Sequence, residues 1–237
     1  MAEPVWADQR VVAGMRQQLE RREREIREGA RPVGWKLAFG IRGTQAALRI
    51  SGPLVGYLTD RTLLEPGGRC SVGDWAKPVL EADIAVRLGA DVPAGTEPEG
   101  AERAIQSLAP AIELADLDPP PDPDRLGGVL AGGLYHRRYV LAPPGAERPG
   151  PRTDDLSVRV EAEGEERAAT TNPERDTGRL PDLIAHVAGF LGAFGERLES
   201  GQVAICGSTV PLIDVVPGER FRYSLAPIGV VEVALQR

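Results

Sequence analysis

Cysteine, long apolar runs and clusters of basic residues are all scarce in this sequence of 237 residues. The two cysteines, Cys70 and Cys206, lie far apart and have no CxxC partner, so neither a zinc site nor a disulfide framework is predicted. No window approaches the roughly 20 apolar residues that cross a membrane. The formal net charge of −7 argues against a nucleic acid or an anionic membrane surface as a partner. We expect a cytoplasmic protein that acts on small molecules.

Several catalytic motifs are missing as well. The glycines form neither a Walker A loop nor a GxGxxG after a strand, and no GxSxG is present, so nucleotide binding and serine hydrolysis have no support. Only two histidines occur. His186 lies among apolar residues of a predicted helix, where a structural role is favoured, whereas His136, in LYHRRY, is a candidate for function.

The hydrophobic patterns predict one domain over residues 1–237, with an α+β fold built on a mixed, mainly antiparallel β core. An amphipathic helix is predicted at about residues 7–28. Two more helices are predicted, at residues 99–108 and from Pro181 to Leu198. Short β-like runs separated by turn residues fill the C-terminal part.

One predicted strand, PVLEADIAVRLG at residues 78–89, combines a fully apolar face with two neighbouring acids. The alternation sends Glu81 and Asp83 to the face opposite the apolar one, with about 6.6 Å between their Cα atoms. A solvated strand face explains such a pattern. On the pattern alone that explanation is favoured, and a buried site in which a divalent cation lies between the two anions is the alternative.

Three further polar residues bear on that choice. Glu113 lies between alanines in PAIELAD, a strand-like run that is too apolar for a surface loop. In VGWKLAFG, Lys36 shares a face with the small residues Gly34 and Ala38, where either a cavity opens or the side chain reaches water. Asp60 ends the strand-like run LVGYLTD.

These segments occur in an order that resembles a known family. GWKLAFG, GYLTD, PVLEADIAV, PAIELAD, SGQVAICGSTV and VVPGERF are similar, in order and spacing, to motifs of the fumarylacetoacetate hydrolase superfamily. Within it the resemblance points to the 2-keto-4-pentenoate hydratase and 2-oxo-3-hexenedioate decarboxylase group. It runs from about Val33 to the C-terminus. It implies the fold of the fumarylacetoacetase C-terminal domain, a β roll or sandwich with flanking helices, and a homodimer or larger homo-oligomer.

The resemblance also implies a metal site. Glu81, Asp83 and Glu113 match the family's ligands for Mg²⁺ or Mn²⁺, and oxygen ligands suit such hard cations. The metal would stabilise an enolate formed from a chelated 2-oxo acid. Lys36 matches the family's lysine, which would add positive charge or relay a proton, and Asp60 falls near a family acid. Both are candidate catalytic residues.

The resemblance leaves three functions open: a hydratase for a small 2-hydroxydienoic or 2-oxo acid, which we expect first, a 2-oxo acid decarboxylase, and a non-catalytic ligand-binding protein. Hydrolysis of a C–C bond is disfavoured because the histidine that the family's hydrolases carry before the metal pair is absent. Residues 131–136 depart from the A-D-N-A-S-S-like segment of the relatives. Gly133, Tyr135 and His136 are therefore the candidate substrate-binding residues.

Overall fold

The computed structural model describes residues 3–143 and 145–237, and β-strands make up most of its regular structure. The strands are β1 (Pro32–Ala38), β2 (Leu54–Thr59), β3 (Leu63–Leu64), β4 (Arg69–Ser71), β5 (Pro78–Leu88), β6 (Ile105–Asp116), β7 (His136–Leu141), β8 (Arg148–Pro149), β9 (Ser157–Ala162), β10 (Glu165–Thr170), β11 (Val203–Ser208), β12 (Ile213–Asp214), β13 (Arg220–Ala226) and β14 (Gly229–Gln236). The α-helices are α1 (Gln9–Arg27), α2 (Arg42–Leu48), α3 (Pro98–Ala104), α4 (Leu126–Ala131) and α5 (Leu180–Gly192). This is the predicted α+β class, with mainly antiparallel strands.

The larger sheet carries the acidic strand at its centre. Its order is β2-β1-β11-β5-β6-β7-β3, with β12 also paired to β5 and β8 to β6. Strands β5 and β6 are antiparallel over almost their whole length, from Pro78 opposite Asp116 to Leu88 opposite Ile105. The predicted apolar face of β5 is buried in the main core, and its side chains are Leu80, Ala82, Ile84, Val86 and Leu88.

The smaller sheet packs on that apolar side. Its order is β10-β9-β13-β14-β4, and both β13 and β14 contact β6. Along β9, Val158, Val160 and Ala162 are buried and the residues between them are not, which is typical of a sheet with one wet face. The opposite face of the larger sheet carries a second apolar cluster, made of Leu58, Ala85, Ala111, Tyr139, Val203 and Ile205.

Helix α1 corresponds to the helix predicted at about residues 7–28. Its buried face includes Met15 and Gln18 and packs against α4. The buried Gln18 amide donates to Leu130 O at 2.9 Å and accepts from Tyr57 N at 3.0 Å, which fixes the helix to the edge of the larger sheet. Within the described ranges, no helix is long and apolar enough to cross a membrane.

The helix predicted at residues 99–108 is shorter than expected. It is α3, which ends at Ala104, and the residues that follow form β6. Pairing with β5 overrides the local helical pattern there. Pro110 fits within this central strand because its carbonyl accepts from Ala142 N at 3.1 Å. Its nitrogen faces the same side, at the gap between β7 and β8, so no ladder bond is lost.

The helix predicted from Pro181 to Leu198 is also shorter. It is α5, which ends at Gly192, and Gly195 follows with φ of 78°. A left-handed glycine just beyond a helix end is a common stop signal. Leu198 instead forms a bridge with Val92.

Candidate active site

Lys36 is one of the two lysines of the chain, and it is buried. It lies on β1, between β2 and the parallel strand β11. Strands β1 and β11 approach so closely that a Cβ atom at Gly34 would lie 1.9 Å from Val203 O, so glycine is required there. The period of two along β1 then directs Lys36 to the face of the sheet that carries the acids.

The three predicted acids lie together on that face of β5 and β6. Glu81 is directly opposite Glu113 in the antiparallel register, which places their Cβ atoms about 4.5–5.5 Å apart. Asp83 follows two residues along β5, opposite Ala111. Asp83 and Glu113 are 0 % and 1 % exposed, and Glu81 is partly buried. This burial rules out a simple solvated strand face.

Lys36 and Glu113 form a buried ion pair that His136 extends. Lys36 Nζ donates to Glu113 Oε1 at 2.6 Å and to the Leu134 carbonyl at 3.1 Å. His136 Nδ1 lies 3.0 Å from the same Oε1, and its Nε2 lies 3.0 Å from Thr62 Oγ1. With Nδ1 protonated, His136 donates to Glu113 and accepts from the Thr62 hydroxyl. Glu113 is therefore held from two sides.

The buried charges shift one another's pKa values. Burial alone would raise the pKa of Glu113, but the Lys36 ammonium and the hydrogen bond from His136 more than offset it, and that pKa is lowered. Burial alone would lower the pKa of Lys36, and the carboxyl groups of Glu113, Glu81 and Asp83 together more than offset it, so that pKa is raised. Burial lowers the pKa of His136 despite its hydrogen bond to Glu113. At neutral pH the ion pair is charged and His136 is neutral.

The pKa values of Glu81 and Asp83 are raised, whereas that of Glu113 is lowered. Burial, followed by the charge of Glu113, raises the pKa of Glu81 to about 7. Burial, followed by the charges of Glu81 and Glu113, raises the pKa of Asp83 well above its usual range. Both Asp83 carboxyl oxygens are buried without a hydrogen-bond partner among the described residues. A buried carboxyl group of this kind is stabilised by taking up a proton or by a nearby cation.

This donor set fits a divalent cation. Three carboxyl groups supply the hard oxygen ligands that Mg²⁺ and Mn²⁺ prefer, and a cation would satisfy the partnerless Asp83 oxygens. In the parts of the chain that the structure describes, no three His, Cys, Asp or Glu side chains already converge as a metal site. Glu113 Oε1 is instead directed to Lys36 and His136. The metal site at Glu81, Asp83 and Glu113 stays a prediction that the donor chemistry supports.

A cavity of about 170 Å³ opens above Lys36 and Glu81. Its walls come from the segments that follow β1 and β6, from the end of β11 and the loop after it, and from Leu134 and Tyr135. This volume suits a small organic acid rather than a drug-sized ligand. The charged residues at its floor can therefore meet a small anionic ligand.

The segment at residues 131–136, which departs from the family pattern, lies against the site. Leu134 and Tyr135 have φ of 58° and 66°, left-handed conformations that turn the chain between α4 and β7. The turn places the Leu134 carbonyl on Lys36, Tyr135 in the cavity wall and His136 beside Glu113. The Tyr135 hydroxyl is buried without a partner among the described residues, and its role in substrate binding stays a prediction.

Of the predicted site residues, Asp60 and Gly133 lie outside both the cavity lining and the cluster of Lys36, Glu113 and His136. Asp60 follows β2 and accepts hydrogen bonds from Arg31 N at 2.9 Å and Arg31 Nε at 2.7 Å. This surface ion pair explains the acid and removes the reason for a catalytic role. Gly133 turns the backbone with φ of 89° beside the Arg21 side chain and does not line the cavity. His136 acts on Glu113 rather than on the cavity itself.

The sequence patterns did not single out three cavity residues, Phe39, Thr177 and Ser208. Phe39 and Ser208 lie within GWKLAFG and SGQVAICGSTV, so membership of these motifs was a usable signal. Ser208 Oγ accepts from Ala82 N at 3.2 Å, which fixes it beside Asp83 on β5. Thr177 comes from the loop between β10 and α5, and no sequence signal marks it.

The chain is similar in sequence to known proteins, although no family model matches it. It is 26 % identical over 205 residues to a 4-oxalocrotonate decarboxylase from a Pseudomonas species, covering 86 % of this chain and 78 % of the relative. It is 25 % identical over 210 residues to a 2-hydroxyhexa-2,4-dienoate hydratase from Comamonas testosteroni, with the same coverage. These named relatives are lyases of the two kinds that the sequence motifs indicated.

Solved structures share the fold. The 4-oxalocrotonate decarboxylase from Pseudomonas putida G7, complexed with magnesium and adipate, superposes with a TM-score of 0.84 and 23 % identity, covering 97 % of this chain and 86 % of that one. A fumarylpyruvate hydrolase from Pseudomonas aeruginosa, in complex with Mn²⁺ and pyruvate, gives a TM-score of 0.67 and 12 % identity over 87 % of this chain and 89 % of that one. Sequence relatives and fold agree with the ordered motifs: the chain is similar in sequence to hydratases and decarboxylases, and it has the fold of the fumarylacetoacetate hydrolase proteins.

Proposed function

We propose that this protein is a divalent-metal-dependent hydratase that adds water to a small 2-hydroxydienoic acid or its 2-oxo form. One observation carries the proposal: the Lys36–Glu113 ion pair and the partnerless Asp83 carboxyl group lie below a cavity of small-acid size. The hydratase relative supports the substrate class, and the magnesium in the decarboxylase structure supports a divalent cation. Mg²⁺, with Mn²⁺ as the alternative, is the metal that we expect.

Glu81, Asp83 and Glu113 would hold this cation. When bound, it would stabilise the negative charge that develops on the keto oxygen of a 2-oxo acid. Lys36 keeps a protonated Nζ at the cavity floor because its pKa is raised, so its ammonium group stabilises the same charge or delivers a proton. His136 holds Glu113 Oε1 in place, and the largely apolar walls limit the access of bulk water.

Decarboxylation at the same site is the second candidate, because 4-oxalocrotonate decarboxylases are among the sequence relatives and the structural neighbours. Both reactions place negative charge on the keto oxygen. They differ in whether protonation and water addition follow, or whether CO₂ leaves. The stabilising residues are shared, and the product distinguishes the two reactions. A homodimer or larger homo-oligomer and a cytoplasmic location stay predictions.

An absorbance assay tests the function. Freshly generated 2-hydroxydienoates are mixed with EDTA-treated protein, before and after addition of MgCl₂ or MnCl₂. Metal-dependent loss of the conjugated chromophore without CO₂ release identifies a hydratase, and loss with CO₂ release from a dicarboxylic substrate identifies a decarboxylase. A protein that binds these acids but consumes none of them would be a ligand-binding member of the fold, and the proposal would fail.

The two lysines provide a matched pair of variants. Lys36→Met should lower kcat/KM at least about 100-fold, the typical effect of losing one group that stabilises a developing oxyanion. Lys77→Met, at the exposed lysine, should leave kcat/KM unchanged. Circular dichroism would verify that both variants are folded. Equal activity in the two variants would remove Lys36 from the mechanism.

A further inference from the structure

The buried His136 ring needs two hydrogen-bond partners of opposite kind. Only 8 % of its side chain is exposed, so its ring nitrogens depend on partners within the protein. In a neutral imidazole one nitrogen donates and the other accepts. Nδ1 lies 3.0 Å from Glu113 Oε1, and because an ionised carboxylate only accepts, Nδ1 carries the hydrogen. Nε2 therefore requires a donor.

The Thr62 hydroxyl is in position to be that donor. Thr62 Oγ1 lies 3.0 Å from His136 Nε2 and 3.3 Å from the Thr59 carbonyl oxygen. A hydroxyl has one hydrogen to donate. The Thr59 carbonyl already accepts from the Tyr139 hydroxyl at 3.2 Å, whereas Thr62 is the hydrogen-bond partner of Nε2 among the described residues. The shorter contact, to Nε2, is therefore the one that the Thr62 hydrogen serves.

The turn that carries Thr62 is held on both sides. Thr62 ends the 3₁₀ turn between β2 and β3. The first residue of the turn, Asp60, accepts two hydrogen bonds from Arg31. The second, Arg61, donates to the carboxylate and to the carbonyl of Glu28, at 3.0 and 2.8 Å. Strand β3 then pairs in parallel with β7, so the hydroxyl is fixed relative to the strand that carries the imidazole.

The ring in turn holds one oxygen of Glu113. Lys36 Nζ and His136 Nδ1 both bind Oε1, at 2.6 and 3.0 Å. Because both bonds end on the same oxygen, neither of them uses the lone pairs of Oε2. An imidazole that rotated away would release one of the two constraints on this carboxylate. A hydrogen-bonded chain from Thr62 through His136 thus connects the 3₁₀ turn to a predicted metal ligand.

We propose that Thr62 is a positioning residue of this site: its hydroxyl fixes the His136 ring in the orientation in which Nδ1 donates to Glu113, and it thereby strengthens the binding of a divalent cation. This inference rests on the metal site of the proposed function and adds a residue to it. Loss of a group that orients a metal ligand from outside typically weakens metal binding about 10- to 100-fold. Thr62 acts through a second residue, so its effect should lie near the lower value.

The first test is the position of the hydrogen on His136. The chain has only two histidines, and His186 is an internal reference, because its Nε2 lies 2.9 Å from the Pro53 carbonyl, which only accepts. NMR spectra of ¹⁵N-histidine-labelled protein, in EDTA at mildly alkaline pH, should show the hydrogen on Nδ1 of His136 and on Nε2 of His186. A hydrogen on Nε2 of His136, alone or together with one on Nδ1, would overturn the proposal.

Thr62→Val removes the hydroxyl and keeps the shape of the side chain. It should weaken Mg²⁺ binding about 10-fold in calorimetric titration of the full chain, and it should shift the ¹⁵N resonance of His136 Nε2. Thr62→Ser restores a hydroxyl and should restore both values. Thr59→Val is the matched control, because Thr59 is buried beside the same turn and its hydroxyl has no partner among the described residues, and it should keep the wild-type affinity.

A double-mutant cycle separates positioning from a general loss of structure. In a His136→Phe background, which keeps a ring but forms neither hydrogen bond, Thr62→Val should cause no further loss of Mg²⁺ affinity. Equal weakening in both backgrounds, or an unchanged affinity in Thr62→Val alone, would overturn the proposal while leaving the proposed function intact. If the wild type binds no Mg²⁺, the proposed function and the metal part of this inference both fail, and the spectra in EDTA still decide whether Thr62 orients His136.

Discussion

Replacing Asp83 by asparagine should separate the energetic cost of burying this carboxyl group from its use as a metal ligand. The residue is 0 % exposed, and neither carboxyl oxygen has a hydrogen-bond partner among the described residues. Burial raises the pKa of Asp83 well above 3.8, and the charges of Glu81 and Glu113 raise it further. Asparagine has nearly the same shape but does not ionise, so the packing is retained.

The magnitude follows from proton linkage. Without metal, folded Asp83 keeps its proton at pH values where the unfolded chain has already released it, so the wild-type free energy of unfolding falls as pH rises. One group changes this free energy by at most about 1.4 kcal/mol per pH unit, or about 2.7 kcal/mol from pH 5 to pH 7. Asp83→Asn lacks this loss. It should match the wild type within about 1 kcal/mol at pH 5 and exceed its stability at pH 7.

A divalent cation should reverse that order. A ligand at 100 times its dissociation constant adds about 2.7 kcal/mol to the stability of a protein that binds it only when folded. The wild type should show this gain, and Asp83→Asn, with one of three carboxylates lost, should gain much less. Urea unfolding at pH 5, 6 and 7, first in EDTA and then in MgCl₂, measures both effects.

Asp116→Asn is the matched control for this experiment. Asp116 is buried at the end of β6 but accepts a hydrogen bond from Lys77 N at 2.8 Å and does not line the cavity above Lys36. Its replacement should lower stability by about 1 kcal/mol in EDTA and in MgCl₂ alike. The reasoning on Asp83 is refuted if Asp83→Asn is less stable than the wild type at pH 7 in EDTA, or if Mg²⁺ stabilises both proteins equally.

The two histidines give the remaining predictions. His136→Gln loses the Nδ1 hydrogen bond that holds Glu113, so Mg²⁺ affinity measured by calorimetry should weaken about 10- to 100-fold, and an unchanged affinity would show that His136 does not position this ligand. Burial lowers the pKa of His186, so below about pH 6.5 the unfolded chain takes up a proton at this residue before the folded chain does. The free energy of unfolding should therefore decrease as the pH is lowered. In urea unfolding, His186→Gln should lose this acid-dependent part, and a pH profile identical to that of the wild type would contradict the assignment.

The faces of the strands were predictable from the sequence because one face of each strand is apolar. The period of two correctly placed Glu81 with Asp83 on β5, and it placed Glu113 and Lys36 on the small-residue faces of their own strands. The register between strands was not predictable in this way. That Glu81 lies opposite Glu113 depends on pairing between distant segments, and the ordered family motifs, rather than periodicity, indicated that these residues meet.

Asp60 shows the limit of reasoning from a family resemblance. Asp60 was a candidate because it falls near an acid of the family, at the end of LVGYLTD. Strand β2 ends one residue earlier, at Thr59, and a 3₁₀ turn begins at Asp60. That turn lets the side chain bind Arg31, which precedes the neighbouring strand β1. The resemblance alone could not show that this acid is paired with Arg31.

The backbone conformation of the segment before β7 could not be predicted from its side-chain identities. Gly133, Leu134 and Tyr135 have φ of 89°, 58° and 66° in succession, and two of these residues are types that rarely adopt positive φ. Because of this turn, the Leu134 main-chain carbonyl accepts a hydrogen bond from Lys36 at 3.1 Å, in addition to the bond that Glu113 accepts. His136 at the same time reaches Glu113 from the start of β7. The departure from the A-D-N-A-S-S-like pattern therefore removes fewer polar contacts from the floor of the site than the residue types suggest, and its consequences are concentrated at the cavity wall, where Tyr135 meets Phe39.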